Sequence, residues 1–174
     1  MTSRAKGLLL GALHVILVLS LGAKLLIDRH RYPRVWAETI PYDPDSPIRG
    51  RYLAARLQIE DEGIYSRPPA ESPQQNRWME MRNVRLGVEN GHLVAFPSDD
   101  WTGIQVARRD RGGQTIVALE QPVDFYIPEH IPDPSLRPSG ERLWVEVTVP
   151  PKGPPRPIRL GVKKNDVLTP LKID

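Results

Sequence analysis

The pattern of apolar and polar positions divides the chain into two unlike parts. Gly7 to Ile27 reads GLLLGALHVILVLSLGAKLLI, and from Gly7 to Ala23 its only strongly polar side chain is His14. About 20 apolar residues suffice to cross a hydrocarbon core of roughly 30 Å. The run therefore predicts a membrane-spanning helix, with Lys24 near its far end able to snorkel to the interface. A cleaved signal peptide is the rival reading. Arg4 and Lys6 form a basic start and Leu21-Gly22-Ala23 a possible cleavage exit. The apolar run continues through Leu25-Leu26-Ile27, which favours a retained anchor. Both readings carry the rest of the chain out of the cytoplasm.

Beyond the anchor the period changes from helical to alternating. Leu53, Ala55, Leu57 and Ile59 share one face of a strand, and Tyr52, Ala54, Arg56 and Gln58 the other. Val84, Leu86 and Val88 alternate up to Asn90-Gly91, the pair that supplies the positive φ angles of a type I′ turn, and Leu93 to Phe96 follows. Thr102, Ile104 and Val106 alternate before a turn read as Arg109 to Gly113, and Thr115, Val117 and Leu119 alternate after it. Val123, Phe125 and Ile127 make a short strand that stops at Pro128. Leu143, Val145, Val147 and Val149 give the cleanest alternation. Ile158–Val162 and Val167–Leu171 flank Lys163 to Asp166 as a third hairpin. The expectation is an all-β domain, an antiparallel sandwich or small barrel of about seven to nine short strands, preceded by one N-terminal transmembrane helix. The divisions are an anchor over 1–28, a Pro-rich connector over 29–47 and the β-rich domain over 48–174. In the connector, Tyr32 and Trp36 lie where aromatic rings favour a membrane interface. The segment 61–77 reads as a loop.

Composition sharpens this picture. There are 19 prolines in 174 residues, which confines the elements to short pieces. Cysteine is absent, so disulfides, thiolate metal sites and Cys nucleophiles are excluded. The pI near 9.3 suggests nucleic acid until the charges are located. Arg4, Lys6, Lys24, Arg29, Arg31 and Arg34 all precede residue 35, against Asp28 alone. The remainder is slightly acidic, so nucleic acid is not an expected partner. The basic flanks suit anionic lipid instead, with residues 7–27 meeting the bilayer.

The search for chemistry yields little. His14, His30, His92 and His130 have no metal-ligand spacing, and no Ser lies in a nucleophile elbow. No glycine loop suits phosphate. No catalytic residue, metal or cofactor is expected. Asp99-Asp100-Trp101 puts an aromatic beside two acids, a possible sugar or peptide contact, although Trp101 reads first as a core residue. Two segments stand out: Asp45 to Tyr52, with Arg49 and Gly50 before a strand, and Asp124 to Glu129, with Tyr126 and Pro128 at a strand exit. Arg49 and Glu129 are placed to pair, and Tyr52 and Tyr126 to form a surface platform. The candidate interaction residues are thus Arg49, Gly50, Tyr52, Arg56, Tyr126, Pro128 and Glu129.

These segments resemble the bacterial membrane-anchored family named for its GDYxxLxY motif. Gly50 and Tyr52 match that motif, while Arg51, Ala55 and Leu57 stand where the family has Asp, Leu and Tyr. Asp43 to Arg49 is similar to its lead-in, Tyr126 to Glu129 to a second signature, and Leu143 to Val162 to its C-terminal stretch. The resemblance implies an architecture and a single-pass location in a bacterial inner membrane with a periplasmic domain, without a reaction. The functional expectation is a non-enzymatic accessory domain that docks on another membrane or envelope protein. The alternatives are a glycan- or peptide-binding module, or a hydrolase-like enzyme using carboxylates.

Overall fold

The computed structural model describes residues 3–41, 52–65 and 81–173. It contains two compact units, residues 1–32 and 33–174. The first is one helix, α1, Ser3–Arg31. The stretch Lys6–Arg31 is long and apolar enough to cross a membrane, and its most apolar 18-residue window has no buried residue. Leu8, Leu9, Val18 and Leu19 are each more than 60 % exposed. In water that surface is unfavourable by roughly 25 cal/mol per Å². His14 Nδ1 lies 2.8 Å from the Leu10 carbonyl oxygen, so the helix's own backbone engages the polar ring in the middle of the apolar run.

The second unit is a mostly antiparallel β domain, with ten strands among the described residues. They are β1 (Arg34–Pro41), β2 (Tyr52–Asp61), β3 (Arg82–Glu89), β4 (His92–Pro97), β5 (Gln105–Arg111), β6 (Gln114–Leu119), β7 (Val123–Tyr126), β8 (Glu141–Thr148), β9 (Arg156–Lys164) and β10 (Val167–Pro170). The strand reading of the sequence holds in outline, with one shift and one addition: β5 begins at Gln105 and runs on to Arg111, so Thr102 and Ile104 precede it and Arg109 to Arg111 belong to the strand rather than the turn. Arg34–Pro41, inside the stretch expected to be a connector, is a strand paired with β8 from Arg34↔Thr148 to Glu38↔Trp144. Its inward residues are Val35, Ala37 and Thr39, too small and mixed to announce a buried face. Thr39 Oγ1 donates to the Leu143 carbonyl at 2.9 Å, which makes its burial tolerable.

All three hairpins close as two-residue turns with both residues at positive φ, as type I′ geometry requires. Asn90 and Gly91 sit at 50° and 80°, Gly112 and Gly113 at 61° and 85°, and Asn165 and Asp166 at 48° and 64°.

The domain is organised on β2. Along one edge it pairs with β7 (Tyr52↔Tyr126, Ala55↔Val123) and then β6 (Gln58↔Ala118, Ile59↔Val117). Along the other it pairs with β1 (Pro41↔Ala55, Thr39↔Leu57) and then, in parallel, with β4 (Glu60↔Val94, Asp61↔Ala95). The pairings β2–β4, β4–β3, β3–β5, β5–β6 and β6–β2 return to their start, so the distal end of β2 belongs to a closed ring. Its proximal end belongs to an open sheet in the order β10-β9-β8-β1-β2-β7. Leu57, Val84, Val106, Val147 and Leu160 have at most a trace of exposed surface and fill the common core. Closure leaves few edges. The edge strand β10 is four residues long and ends in Pro170, which has no N–H to offer an incoming strand.

Candidate functional site

The alternation of β2 fixes what lies opposite the core. Leu53, Leu57 and Ile59 point inward, so Tyr52, Ala54, Arg56 and Gln58 share the outer face. Cross-strand partners in an antiparallel pair stand on the same side. The register therefore adds Tyr126 and Asp124 from β7, Glu120 and Ala118 beside β6, Ala107, Arg109 and Arg111 from β5, and Trp36 and Glu38 from β1.

At one end of this face lies the tyrosine pair that the sequence placed together. Tyr52 and Tyr126 are direct partners, with ring centroids 5.7 Å apart and planes at 69°. They are 51 % and 59 % exposed. An edge-to-face pair is favourable by about 0.5–1.5 kcal/mol beyond its area, yet half of each ring still meets solvent. The strands beginning at Tyr52 and ending before Ile127 are adjacent, as expected. Pro128 is half-buried and Glu129 exposed just beyond Tyr126. Arg49 and Gly50 lie outside the described residues, and with them the expected pairing of Arg49 with Glu129.

Arg56 sits two side chains along β2 from the aromatic pair, and its role differs from a free surface cation. Its Nε donates to the Glu120 backbone carbonyl at 3.1 Å, and its Nη2 to Glu120 Oε1 at 3.2 Å. Arg109 Nη2 donates to the other carboxylate oxygen of Glu120. Glu120 is thus held between two guanidinium groups above Ala107 and Ala118, whose small side chains leave room for the layer.

A second set repeats the arrangement. Glu38 accepts from Arg111 Nη1 at 2.6 Å and Arg142 Nη1 at 3.0 Å, and Arg111 also donates to the Gln58 side-chain oxygen at 3.3 Å. Glu146 accepts from Arg159 Nε at 2.6 Å. Around Glu38 and Glu146 the carboxylate lies beneath and the cation above, whereas Glu120 and its two arginines are buried to a similar degree. Glu38 and Glu146 side chains are 10 % and 9 % exposed, Arg142 and Arg159 62 % and 51 %. The outer layer therefore presents guanidinium to solvent.

The two tryptophans of this region are part of that layer. Trp36 does not stand free for a membrane interface, contrary to the sequence reading. It lies across Gly161 with the Arg159 guanidinium 5.4 Å from its ring centroid. Trp144 carries Lys163 Nζ at 5.1 Å. A recess of about 350 Å³ opens here, lined by Glu38, Gly140, Arg142, Trp144, Lys163, Asn165 and Asp166.

Trp101 also departs from expectation. It is 76 % exposed and forms no part of the core. Its loop is held by Asn83, whose Nδ2 donates to the Asp100 carbonyl and whose Oδ1 accepts from the Thr102 backbone N–H at 3.3 Å. Thr102 Oγ1 in turn donates to the Val84 carbonyl at 2.6 Å. His92 is likewise engaged, with Nδ1 2.8 Å from Glu60 Oε1. A small apolar cleft of about 150 Å³ lies between Pro122, Pro154, Pro155 and Pro157. Among the described residues no group of three His, Asp or Glu side chains is placed to hold a metal ion.

No protein-family model, curated protein or solved structure matches this chain.

Proposed function

We propose that the chain is a single-pass membrane-anchored accessory domain, working outside the cytoplasm as a non-enzymatic docking partner of another membrane or envelope protein. The observation that carries this reading is the Tyr52–Tyr126 pair. Two half-exposed rings on adjacent, mutually paired strands form an apolar platform with polar tips, the composition favoured at the centres of interfaces. The apolar surface of α1 supports the anchor. The resemblance to the GDYxxLxY family supports a bacterial inner-membrane setting with the domain in the periplasm.

The test is capture from detergent extracts with the tagged full-length chain and its Tyr52→Ala/Tyr126→Ala variant. A partner retained by the first and lost by the second supports the reading. Recovery of no specific partner under several growth conditions, or equal capture by both, overturns it.

The exposure of Trp101 favours a second reading, a module for a glycan or peptide ligand. A rigidly braced loop presents this ring beside exposed Asp99 and Asp100. Ring stacking and carboxylate hydrogen bonds are the contacts such a ligand uses. Titration with cell-envelope glycan fragments, read by tryptophan fluorescence, is expected to shift the signal only if Trp101 is intact.

A further inference from the structure

The chain passes from α1 to β1 through Tyr32 and Pro33 alone. Helical hydrogen bonding runs on to Tyr32, whose N–H donates to the Asp28 carbonyl at 3.1 Å. Ile27 is the last residue of the apolar run. From Ile27 to Tyr32 the chain rises about 1.5 Å per residue, and the step to Pro33 adds at most about 3.8 Å. With Ile27 at the edge of the hydrocarbon, Pro33 stands no more than about 11 Å beyond it, and helix tilt only brings it nearer. The headgroup layer itself fills roughly 5–7 Å of that span. The first residue of the β domain is thus tethered within a Debye length, about 8 Å at physiological salt, of the lipid phosphates.

The β8–β9 loop is the part of the domain beside that entry. The β1–β8 register from Arg34↔Thr148 continues one step, with the Val149 N–H donating to the Pro33 carbonyl at 3.0 Å. The loop therefore leaves the sheet at the end where the chain comes in. Val167 and the β9–β10 turn lie at the other end of β9, roughly 25 Å along the strand. The loop reads Pro150-Pro151-Lys152-Gly153-Pro154-Pro155. Pro150 and Pro155 are buried at its base, and Pro151, Lys152 and Pro154 are exposed. Proline rings fix φ on both sides of the tip, and Gly153 turns it at a φ of 88°. The tip is thus preformed and holds Lys152 outward. No acidic residue occurs from Val147 to Asn165, and among the described residues no ion pair occupies Lys152. A lysine beside an anionic bilayer gains only about fivefold in occupancy. Here the anchor has already delivered the domain to the surface, so the contact forms within one molecule and that gain suffices.

We infer that the Pro150–Pro155 tip is a lipid-contact site, with the Lys152 ammonium on the phosphate of an anionic headgroup. The inference rests on the anchor in the reading above and adds a surface separate from the tyrosine platform.

The chain has no cysteine, so one introduced Cys carries a label at one chosen site. Full-length Pro151→Cys and Val167→Cys chains are labelled with the fluorophore NBD. They are placed in phosphatidylcholine nanodiscs with and without phosphatidylglycerol, all containing a lipid spin-labelled at its headgroup. Quenching at 151 is expected to exceed that at 167 by at least about twofold, to rise with phosphatidylglycerol and to fall with salt. Pro151→Cys/Lys152→Glu is expected to lose the phosphatidylglycerol response with unchanged circular dichroism. Equal quenching at both sites, or a response that survives Lys152→Glu, overturns the inference. A label-free check follows amide exchange at Lys152 and Gly153 in the parent chain. Phosphatidylglycerol is expected to slow it there and not in Lys152→Glu, and no slowing overturns the inference. Protection that comes only with a captured protein partner also overturns it, since the occupant is then protein. A full chain that does not enter nanodiscs removes the anchor and this inference together. A chain that enters them, captures a partner through its tyrosines and shows no quenching at 151 loses this inference alone.

Discussion

The ring of Trp36 occupies the space that a side chain at Gly161 would need. A Cβ at 161 would stand 2.8 Å from Trp36 Cζ3 and 3.2 Å from the Thr169 carbonyl oxygen. Glycine in a strand interior ordinarily weakens it, and here the aromatic ring covers the bare backbone. Gly161→Val is expected to destabilise the domain by about 1–3 kcal/mol through this overpacking. Denaturant titration followed by tryptophan fluorescence reads both the lower midpoint and the displaced ring. A midpoint equal to the parent's would mean that Trp36 swings away at no cost.

The layered ion pairs make an asymmetric forecast. Glu38 is nearly buried and accepts from two guanidinium groups, whereas Arg142 is mostly exposed. Removing the acid leaves Arg111 and Arg142 facing each other without their shared acceptor. Glu38→Ala is expected to cost about 1–3 kcal/mol. Arg142→Ala leaves Arg111 in place and is expected to cost less than about 1 kcal/mol. Equal losses in thermal unfolding would contradict the arrangement of acid below and cation above.

Asp166 offers a gain rather than a loss. It holds φ of 64° beside Asn165 at 48°, a conformation that glycine adopts without the steric penalty of Cβ. Its ion pair with Lys163 is too exposed to matter greatly. Asp166→Gly creates the preferred Asn-Gly type I′ pair and is expected to raise stability by about 0.5–1 kcal/mol. A fall in the unfolding midpoint would show that the side chain contributes more than the strain it causes.

The boundary at Tyr32 has a direct test. The Val149 N–H donates to the Pro33 carbonyl at 3.0 Å, and β1 begins at Arg34. A fragment of residues 33–174 is expected to remain soluble without detergent and to keep the β-sheet circular dichroism of the full chain. The full chain is expected to need detergent. A fragment starting at Thr39 loses most of β1 and is expected to aggregate. Detergent-free solubility of the full chain would remove the basis for the anchor.

What the sequence revealed was the local part of the fold. Asn90-Gly91 and Gly112-Gly113 determine their hairpins by backbone conformation alone, and Leu143 to Val149 announces β8 by alternation. Juxtaposition of Tyr52 with Tyr126 was also accessible, since both segments stood out as strand termini. β1 was hidden because its inward face is Val35, Ala37 and Thr39 and because prolines flank it. Trp101 was misread because its loop is held by Asn83, remote in sequence, through contacts to Asp100 and Thr102 that no local pattern announces. The clamping of Glu120 by Arg56 and Arg109 depends on three separated segments, and no local pattern encodes it.

The pairing of β1 with β8 has a consequence for the order of events during synthesis. The first strand after α1 takes its hydrogen-bond partners from Glu38↔Trp144 to Arg34↔Thr148, so nearly the whole chain must leave the ribosome before that strand can be satisfied. Contacts so remote in sequence slow folding and lengthen the interval during which backbone groups lie open. The stretch from Val35 to Glu38 therefore stays open until β8 is complete, whereas Thr39 to Pro41 can pair with β2 much earlier.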